Sequence, residues 1–320
     1  MKRWFGRRFD GWVERSSALE GATALACTRV LVALTLLWLT LPLLLSEAGR
    51  QTVRYVFCDV AWGGYRELPN SWFVQLLGGA RPEVIAGLLG TASLAGLFLL
   101  VGLFARPAAL VAAVCSHAAL TQNPDATGAG DALLAVCLLV LVVGDSSATW
   151  SWDARRRTGS FFAPAEVAAW PRLLAIFQLT VMYVATGLQK LVATAWTPLD
   201  GFSALYQILQ SPHMARYPDW VPTHGWLVGP LALGTAVTLL FELGFWSVLV
   251  WPRLRPAFAA LGVVLHLGIA LTLKVGAFSW LTLSLYPLLF PERLASLGES
   301  LGESLAQRFG KRARSGESAP

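Results

Sequence analysis

The chain has 320 residues, of which 55% are hydrophobic and only 14% are charged. A soluble domain carries roughly 25% charged residues, so this composition argues against a soluble enzyme and favours a membrane protein. The formal net charge is +6. Because the basic residues lie in short loops and at the termini, we expect them to contact anionic membrane lipid, and we predict no nucleic-acid partner.

Apolar runs long enough to cross a bilayer recur along the whole chain, which predicts an all-α, polytopic transmembrane helical bundle of about eight spanning helices. The predicted spans are residues 25–45, 83–104, 107–122, 130–147, 172–195, 228–251, 256–274 and 276–291. The transmembrane domain then takes residues 21–291. A cytoplasmic amphipathic segment precedes it at residues 1–20, and a partly disordered cytoplasmic tail follows at residues 292–320.

The distribution of basic residues predicts the orientation of the bundle. In a count of about eight helices, the basic segments all fall on one side of the membrane. They are residues 1–15, Arg106, residues 155–157, residues 253–255 and residues 293–314. The positive-inside rule therefore places both termini in the cytoplasm, and we expect a multi-pass protein of a bacterial cell membrane.

Both ends of the chain carry a pattern typical of a surface helix. Aromatic residues recur at helical spacing among arginines in residues 4–13, which predicts an amphipathic helix on the cytoplasmic leaflet. In the tail, Leu297, Leu301 and Leu305 repeat every fourth residue, which predicts a second such helix.

Several ionisable side chains lie inside the apolar runs, where each needs a partner or a cavity. They are Arg29, His117, Asp131, Lys190, Glu242, His266 and Lys274. A set of this size favours a hydrated or functional interior over a purely structural one.

Lys190 is the most informative of these residues. On a helix, Tyr183, Thr186 and Lys190 fall within about 60° of one another, so they form one polar stripe. A desolvated lysine can act as a base near neutral pH. The alternative is a lysine whose long side chain reaches the outer interface without any chemical role.

The other buried ionisable residues leave similar alternatives open. Glu242 is predicted to pair with Arg29 or His266, either in a functional site or as a structural ion pair. His266 is either a proton carrier or a residue that hydrogen-bonds between helices. Asp131 begins a helix, where a carboxylate is favoured by the dipole and also serves as a cap.

The sequence contains no motif typical of nucleotide binding, zinc-dependent hydrolysis or serine hydrolysis. Its four cysteines have neither metal-ligand spacing nor a disulfide pattern. We therefore predict no metal.

The stretch from about residue 120 to residue 290 resembles the HTTM domain, the membrane half shared with vitamin K-dependent γ-carboxylase. Short motifs carry this resemblance in the same order. They are Asn123 with Gly130-Asp131, the Trp150–Asp153 turn and its arginine run, the helix FQLTVMYVATGLQKLVATAW with Lys190 and Trp196, and Glu242 followed by His266 and the turn Gly276–Ser279.

The resemblance implies a lyase-type reaction driven by a reduced naphthoquinone of the vitamin K or menaquinol type. Lys190 would then be the catalytic base that deprotonates the quinol, and oxygen would convert the quinol to an epoxide. The residues that would line or support the cavity are Tyr183, Thr186, Glu242, His266, Asn123 and Asp131.

Two departures from the carboxylase keep other functions open. The carboxylase has an asparagine–histidine pair before the fourth helix, where this chain reads Gln122–Asp125 without a histidine. It also has a large extramembrane domain after the bundle, so we do not expect glutamate carboxylation of a peptide substrate by this chain alone.

The first alternative is a non-catalytic membrane partner, or partner subunit, in the maturation of a secreted peptide or in immunity to it. Bacterial HTTM proteins also resemble the membrane subunit of a sporulation-delaying toxin system. The second alternative is a transporter, although inverted repeats and broken helices are not visible.

Overall fold

Helices form nearly all of the regular structure, which confirms the all-α membrane-protein class. The computed structural model describes residues 14, 17–221, 223–300 and 302. The chain divides into two units: the first comprises Met1–Leu173 and Phe290–Pro320, and the second comprises Leu174–Leu289. The predicted surface helix at residues 4–13, and Leu301 and Leu305 of the second one, lie outside the described residues.

The first unit contains most of the long helices. They are α1 (Thr23–Leu45), α2 (Glu47–Thr52), α3 (Trp72–Leu76), α4 (Pro82–Val101), α5 (Ala105–Leu120), α6 (Ala129–Val143) and α7 (Trp152–Thr158). Strands β1 (Leu19–Gly21) and β2 (Glu166–Ala168) pair antiparallel, with Leu19 opposite Ala168. A π-helical turn at Val53–Phe57 and a 3₁₀ turn at Val60–Trp62 follow α2, and residues 291–300 are helical.

Helix α8 (Trp170–Val192) begins in the first unit and continues into the second. The second unit adds α9 (Ala204–Ile208), α10 (Val228–Gly244), α11 (Ser247–Val250), α12 (Arg255–Thr272) and α13 (Phe278–Ser284). Its 3₁₀ turns are Thr194–Trp196, Pro198–Asp200, Gly225–Leu227, Pro252–Leu254 and Tyr286–Leu289.

Each predicted span contains an apolar helix, but the helices differ in length. In the described part of the chain, five are long and apolar enough to cross a membrane. They are Thr23–Leu45, Pro82–Val101, Trp170–Val192, Gly225–Gly244 and Pro252–Thr272. Of the remaining apolar helices, Ala105–Leu120 is as long as its predicted span, whereas Ala129–Val143 and Phe278–Leu289 are shorter than theirs. A helix of ~16 residues is about 24 Å long, less than the ~30 Å of a hydrocarbon core.

In the first unit, the side chain of Arg29 is completely buried and joins α1 to the loop that follows α6. Its guanidinium donates hydrogen bonds to the main-chain carbonyls of Ser146 and Trp150. Gly102, with φ of 68°, packs against the guanidinium so closely that a Cβ there would lie 2.9 Å from Arg29 Cζ. These contacts satisfy carbonyls that burial would otherwise leave without donors. The predicted pairing of Arg29 with Glu242 is therefore wrong, because its two terminal nitrogens donate to main-chain carbonyls and Glu242 pairs with Lys190.

In the second unit, α8 and α10 approach each other closely at Gly187. A Cβ at this position would lie 3.0 Å from Leu243 Cδ2 and 3.1 Å from the Leu243 backbone nitrogen. Small residues allow helix backbones to come together in this way inside membranes. The close approach brings together Lys190, one turn after Gly187 on α8, and Glu242, which directly precedes Leu243 on α10.

We predict that Arg29→Met lowers the free energy of unfolding by ~2–6 kcal/mol, because two buried carbonyls lose their donors and each loss costs about 1–3 kcal/mol. Thermal unfolding in detergent measures the effect. Arg106→Met is the matched control: Arg106 is exposed at the start of α5, and its replacement should change stability by less than ~0.5 kcal/mol. Equal stabilities of the two variants would contradict the role assigned to Arg29.

We also predict that Gly187→Leu destabilises the second unit by ~1–3 kcal/mol, because the added side chain forces α8 away from Leu243. Gly268→Leu is the control, since Gly268 lies within α12 and a Cβ there meets nothing within 4 Å. Thermal unfolding of both variants in the same detergent is the measurement. A loss of stability in both would point to the helix glycines themselves and not to the contact with Leu243.

Candidate functional site

The last turns of α8 and α10 carry an ion pair. Lys190 Nζ donates a hydrogen bond to Glu242 Oε1, and the two side chains are 23% and 10% exposed. The ring of Trp196 lies on the other side of the ammonium, with its centroid 4.4 Å from Nζ. Gly187 lies three residues before Lys190 and Leu243 directly follows Glu242, so the tight contact between α8 and α10 positions the pair.

In this arrangement Lys190 and Glu242 are each other's partners. Lys190 is half-buried and paired, and it does not extend freely to the interface. Neither partner predicted for Glu242 is its partner in the structure. A sequence offers several cations for one carboxylate, and only the packing of helices selects among them.

The second carboxylate oxygen of Glu242 is a further feature of the site. Among the described residues, none donates a hydrogen bond to Oε2, which is buried. The hydroxyl of Thr186, on the same stripe as Lys190, lies beside the Glu242 carboxylate, and it donates to the carbonyls of Met182 and Tyr183, at 3.0 and 2.9 Å. A buried polar atom without a partner is unfavourable, so Oε2 is a ready acceptor for a donor on a ligand or a water.

A hydrogen-bonded cluster lies about two helical turns from Lys190 along α8. The hydroxyl of Tyr183 is 2.6 Å from His266 Nε2 and 2.9 Å from the hydroxyl of Tyr286. All three residues are buried. Gly262 makes room for this cluster, since a Cβ there would lie 1.9 Å from the Tyr286 hydroxyl. His266 thus forms the interhelical hydrogen bond that was one of its two predicted roles.

Aromatic rings enclose the cluster. The ring of Tyr183 has centroid distances of 5.0 Å to Phe241 and 4.5 Å to Phe245, and both phenylalanines also contact Phe258. The imidazole of His266 packs against Phe278. Apolar rings on these sides limit access of water, so electrostatic interactions within the cluster are strong.

Two of the predicted support residues, Asn123 and Asp131, belong to the first unit and have local partners there. The buried amide of Asn123 donates to the carbonyl of Val56 at 2.8 Å and to the Tyr65 hydroxyl at 3.0 Å. Asp131 Oδ2 accepts from the backbone N–H of Gly128 at 2.8 Å and so caps α6. The structure brings Tyr183, Thr186, Glu242 and His266 together with Lys190 in the second unit.

The segment beside Asn123 also contains an exposed ion pair. Arg66 Nη1 lies 2.5 Å from Asp125 Oδ2, and the Tyr65 hydroxyl donates to the same oxygen at 3.0 Å. Its hydrogen bond to the Arg66 guanidinium lowers the pKa of Asp125 below its usual value. Because both side chains are exposed, the pair adds little to stability.

Sequence reasoning missed Tyr286 as a member of the buried cluster and Trp196 as a contact of the Lys190 ammonium. In the sequence, Tyr286 is one polar residue within an apolar run. Its inward packing is visible only in the structure, where its hydroxyl lies against Gly262. In the described residues, no group of three or more His, Cys, Asp or Glu side chains is placed to hold a metal ion.

Comparison with known proteins agrees with the class of fold. The model of the HTTM domain matches residues 20–293, which is most of the chain. No curated protein and no solved structure matches it. The chain therefore belongs to the HTTM domain family, and it is a membrane protein of this γ-carboxylase-related group.

Proposed function

We propose that this protein is a membrane enzyme that performs acid–base chemistry on a lipid-soluble quinol at the Lys190–Glu242 pair. The observation that carries the proposal is a half-buried ion pair whose carboxylate keeps one oxygen without a partner. Ionisable groups at membrane depth are rare and typically mark functional sites. A carboxylate that can accept a proton beside a fixed positive charge is suited to removing a proton from a weak acid.

The residues present fit a reduced naphthoquinone. Such a molecule has an acidic hydroxyl on a flat apolar ring, and the site offers Glu242 Oε2 as acceptor, the Lys190 ammonium and the indole of Trp196. When bound, it would supply the acidic hydroxyl and the four electrons that oxygen takes up as quinol and oxygen become epoxide and water. Quinol and oxygen then yield quinone epoxide and water, so atoms and electrons balance.

In this proposal the chain's own residues have distinct roles. The Lys190–Glu242 pair receives the proton of the hydroxyl and keeps an opposite charge beside the substrate oxygen. Thr186 and Tyr183 continue the polar stripe, and His266 fixes the orientation of the Tyr183 phenol through the 2.6 Å hydrogen bond. Asn123 and Asp131 support the site only by stabilising the first unit.

We predict that purified protein given a naphthohydroquinone anaerobically, and then oxygen, forms quinone epoxide detectable by chromatography. Lys190→Ala should reduce the rate by ~10²–10³-fold, because the positive charge beside the substrate oxygen is lost. Lys274→Ala is the matched control, because Lys274 only donates to the carbonyl of Pro212, at 2.8 Å.

The outcome that contradicts this proposal is epoxide formation no faster than in a detergent blank, with folded wild-type protein. That result would favour a non-catalytic partner in the maturation of a secreted peptide or in immunity to it. If wild type and Lys190→Ala form epoxide at equal rates, the protein is an enzyme but Lys190 is not part of its active site.

We further propose that both termini face the cytoplasm of a bacterial cell, because the basic residues of the loops and tail are placed according to the positive-inside rule. A reporter enzyme that is active only in the periplasm should be inactive when fused after residue 320. The same reporter inserted after Gly201, in the segment after α8, should be active. The reverse pattern would contradict the orientation.

A further inference from the structure

We infer that Glu242 is the proton acceptor of this site and that Lys190 keeps its proton, so that its positive charge stabilises the negative charge that forms on the substrate oxygen. The inference rests on the proposed function and goes beyond it, because it assigns separate roles to the two members of the pair. The family resemblance alone gives the role of base to Lys190.

The contacts of Lys190 favour a permanent cation. Its nitrogen donates to Glu242 Oε1 on one side and lies 4.4 Å from the ring centroid of Trp196 on the other. Carboxylates and aromatic faces both attract a positive charge and hold a neutral amine only weakly. To act as a base, Lys190 would have to lose its charge and with it both of these interactions.

The contacts of Glu242 leave one acceptor open. Oε1 is occupied by Lys190, whereas Oε2 is buried and no described residue donates to it. A carboxylate has two oxygens that each accept hydrogen bonds, so Oε2 can accept from a substrate hydroxyl while Oε1 keeps its bond to Lys190. Hydrogen-bond reach between the acceptor and the proton is the first requirement of general base catalysis.

Charge conservation in an apolar site supports the same assignment. When Glu242 takes the proton, the O–H bond of the substrate breaks, the proton moves to Oε2, and the electron pair stays on the substrate oxygen. The net charge of the site is zero before and after this step, because Lys190 balances Glu242 first and the substrate oxygen afterwards. A neutral Lys190 would instead leave either an unpaired buried carboxylate, which is costly, or a proton already on Glu242.

Replacement of Lys190 by arginine separates the two roles. Arginine is always charged in proteins, so it can stabilise an anion but cannot serve as a base. We expect Lys190→Arg to keep at least about a tenth of the wild-type rate of epoxide formation, and Glu242→Gln to lose ~10²–10⁴-fold. Glu83→Gln, at an exposed carboxylate in α4, should retain the wild-type rate.

A second readout does not depend on turnover. Anaerobic addition of 2,3-dichloro-1,4-naphthohydroquinone, whose chlorines make its hydroxyls more acidic, should generate the infrared carbonyl band of a protonated carboxylic acid. The band should appear in wild type, Lys190→Arg and Glu83→Gln, and it should be absent in Glu242→Gln.

The two readouts distinguish failure of the inference from failure of the proposed function. Suppose that the carboxylic acid band is lost only in Glu242→Gln and that wild type forms no epoxide. The proposed quinol reaction would then be refuted, but Glu242 would still be the proton acceptor. Absence of the band in wild type would overturn the inference. So would a Lys190→Arg variant that is as inactive as Lys190→Ala while Glu242→Gln stays active.

Discussion

The second unit depends on the pairing of two opposite charges inside an apolar helical bundle. A lone ammonium or carboxylate at membrane depth is strongly unfavourable, so Lys190 and Glu242 are tolerated only together. Their side chains meet because Gly187 lets α8 lie against Leu243 of α10. Helix packing and charge pairing therefore stabilise each other, and the position of the candidate site follows from both.

The other buried polar groups are stabilised in different ways. Arg29 donates to the carbonyls of Ser146 and Trp150, and His266 shares a hydrogen bond with Tyr183. Each contact joins segments that are distant in sequence, so each restricts how its own unit can pack. In the second unit, Glu242 Oε2 is buried beside the Lys190 ammonium and has no hydrogen-bond partner among the described residues. We therefore place the proposed chemistry at this atom.

Much of this architecture could be predicted from the sequence, because apolar runs of bilayer length determine helices and residue spacing determines their faces. The Tyr183–Thr186–Lys190 stripe was predictable on those grounds. The partner of Glu242 was not, since Arg29, Lys190 and His266 were all available and only the contact at Gly187 selects Lys190. The ends of α5 and α6 were also missed, because hydropathy alone does not locate the turns that end a helix.

A double-mutant cycle on the ion pair tests the account most directly. Lys190→Met and Glu242→Leu alone should each lower the free energy of unfolding by ~3–5 kcal/mol, because each leaves an unpaired buried charge. The double variant should recover most of that loss, since two apolar side chains replace the pair. Destabilisation in the double variant equal to the sum of the single effects would show that the two charges do not interact, and would contradict the account.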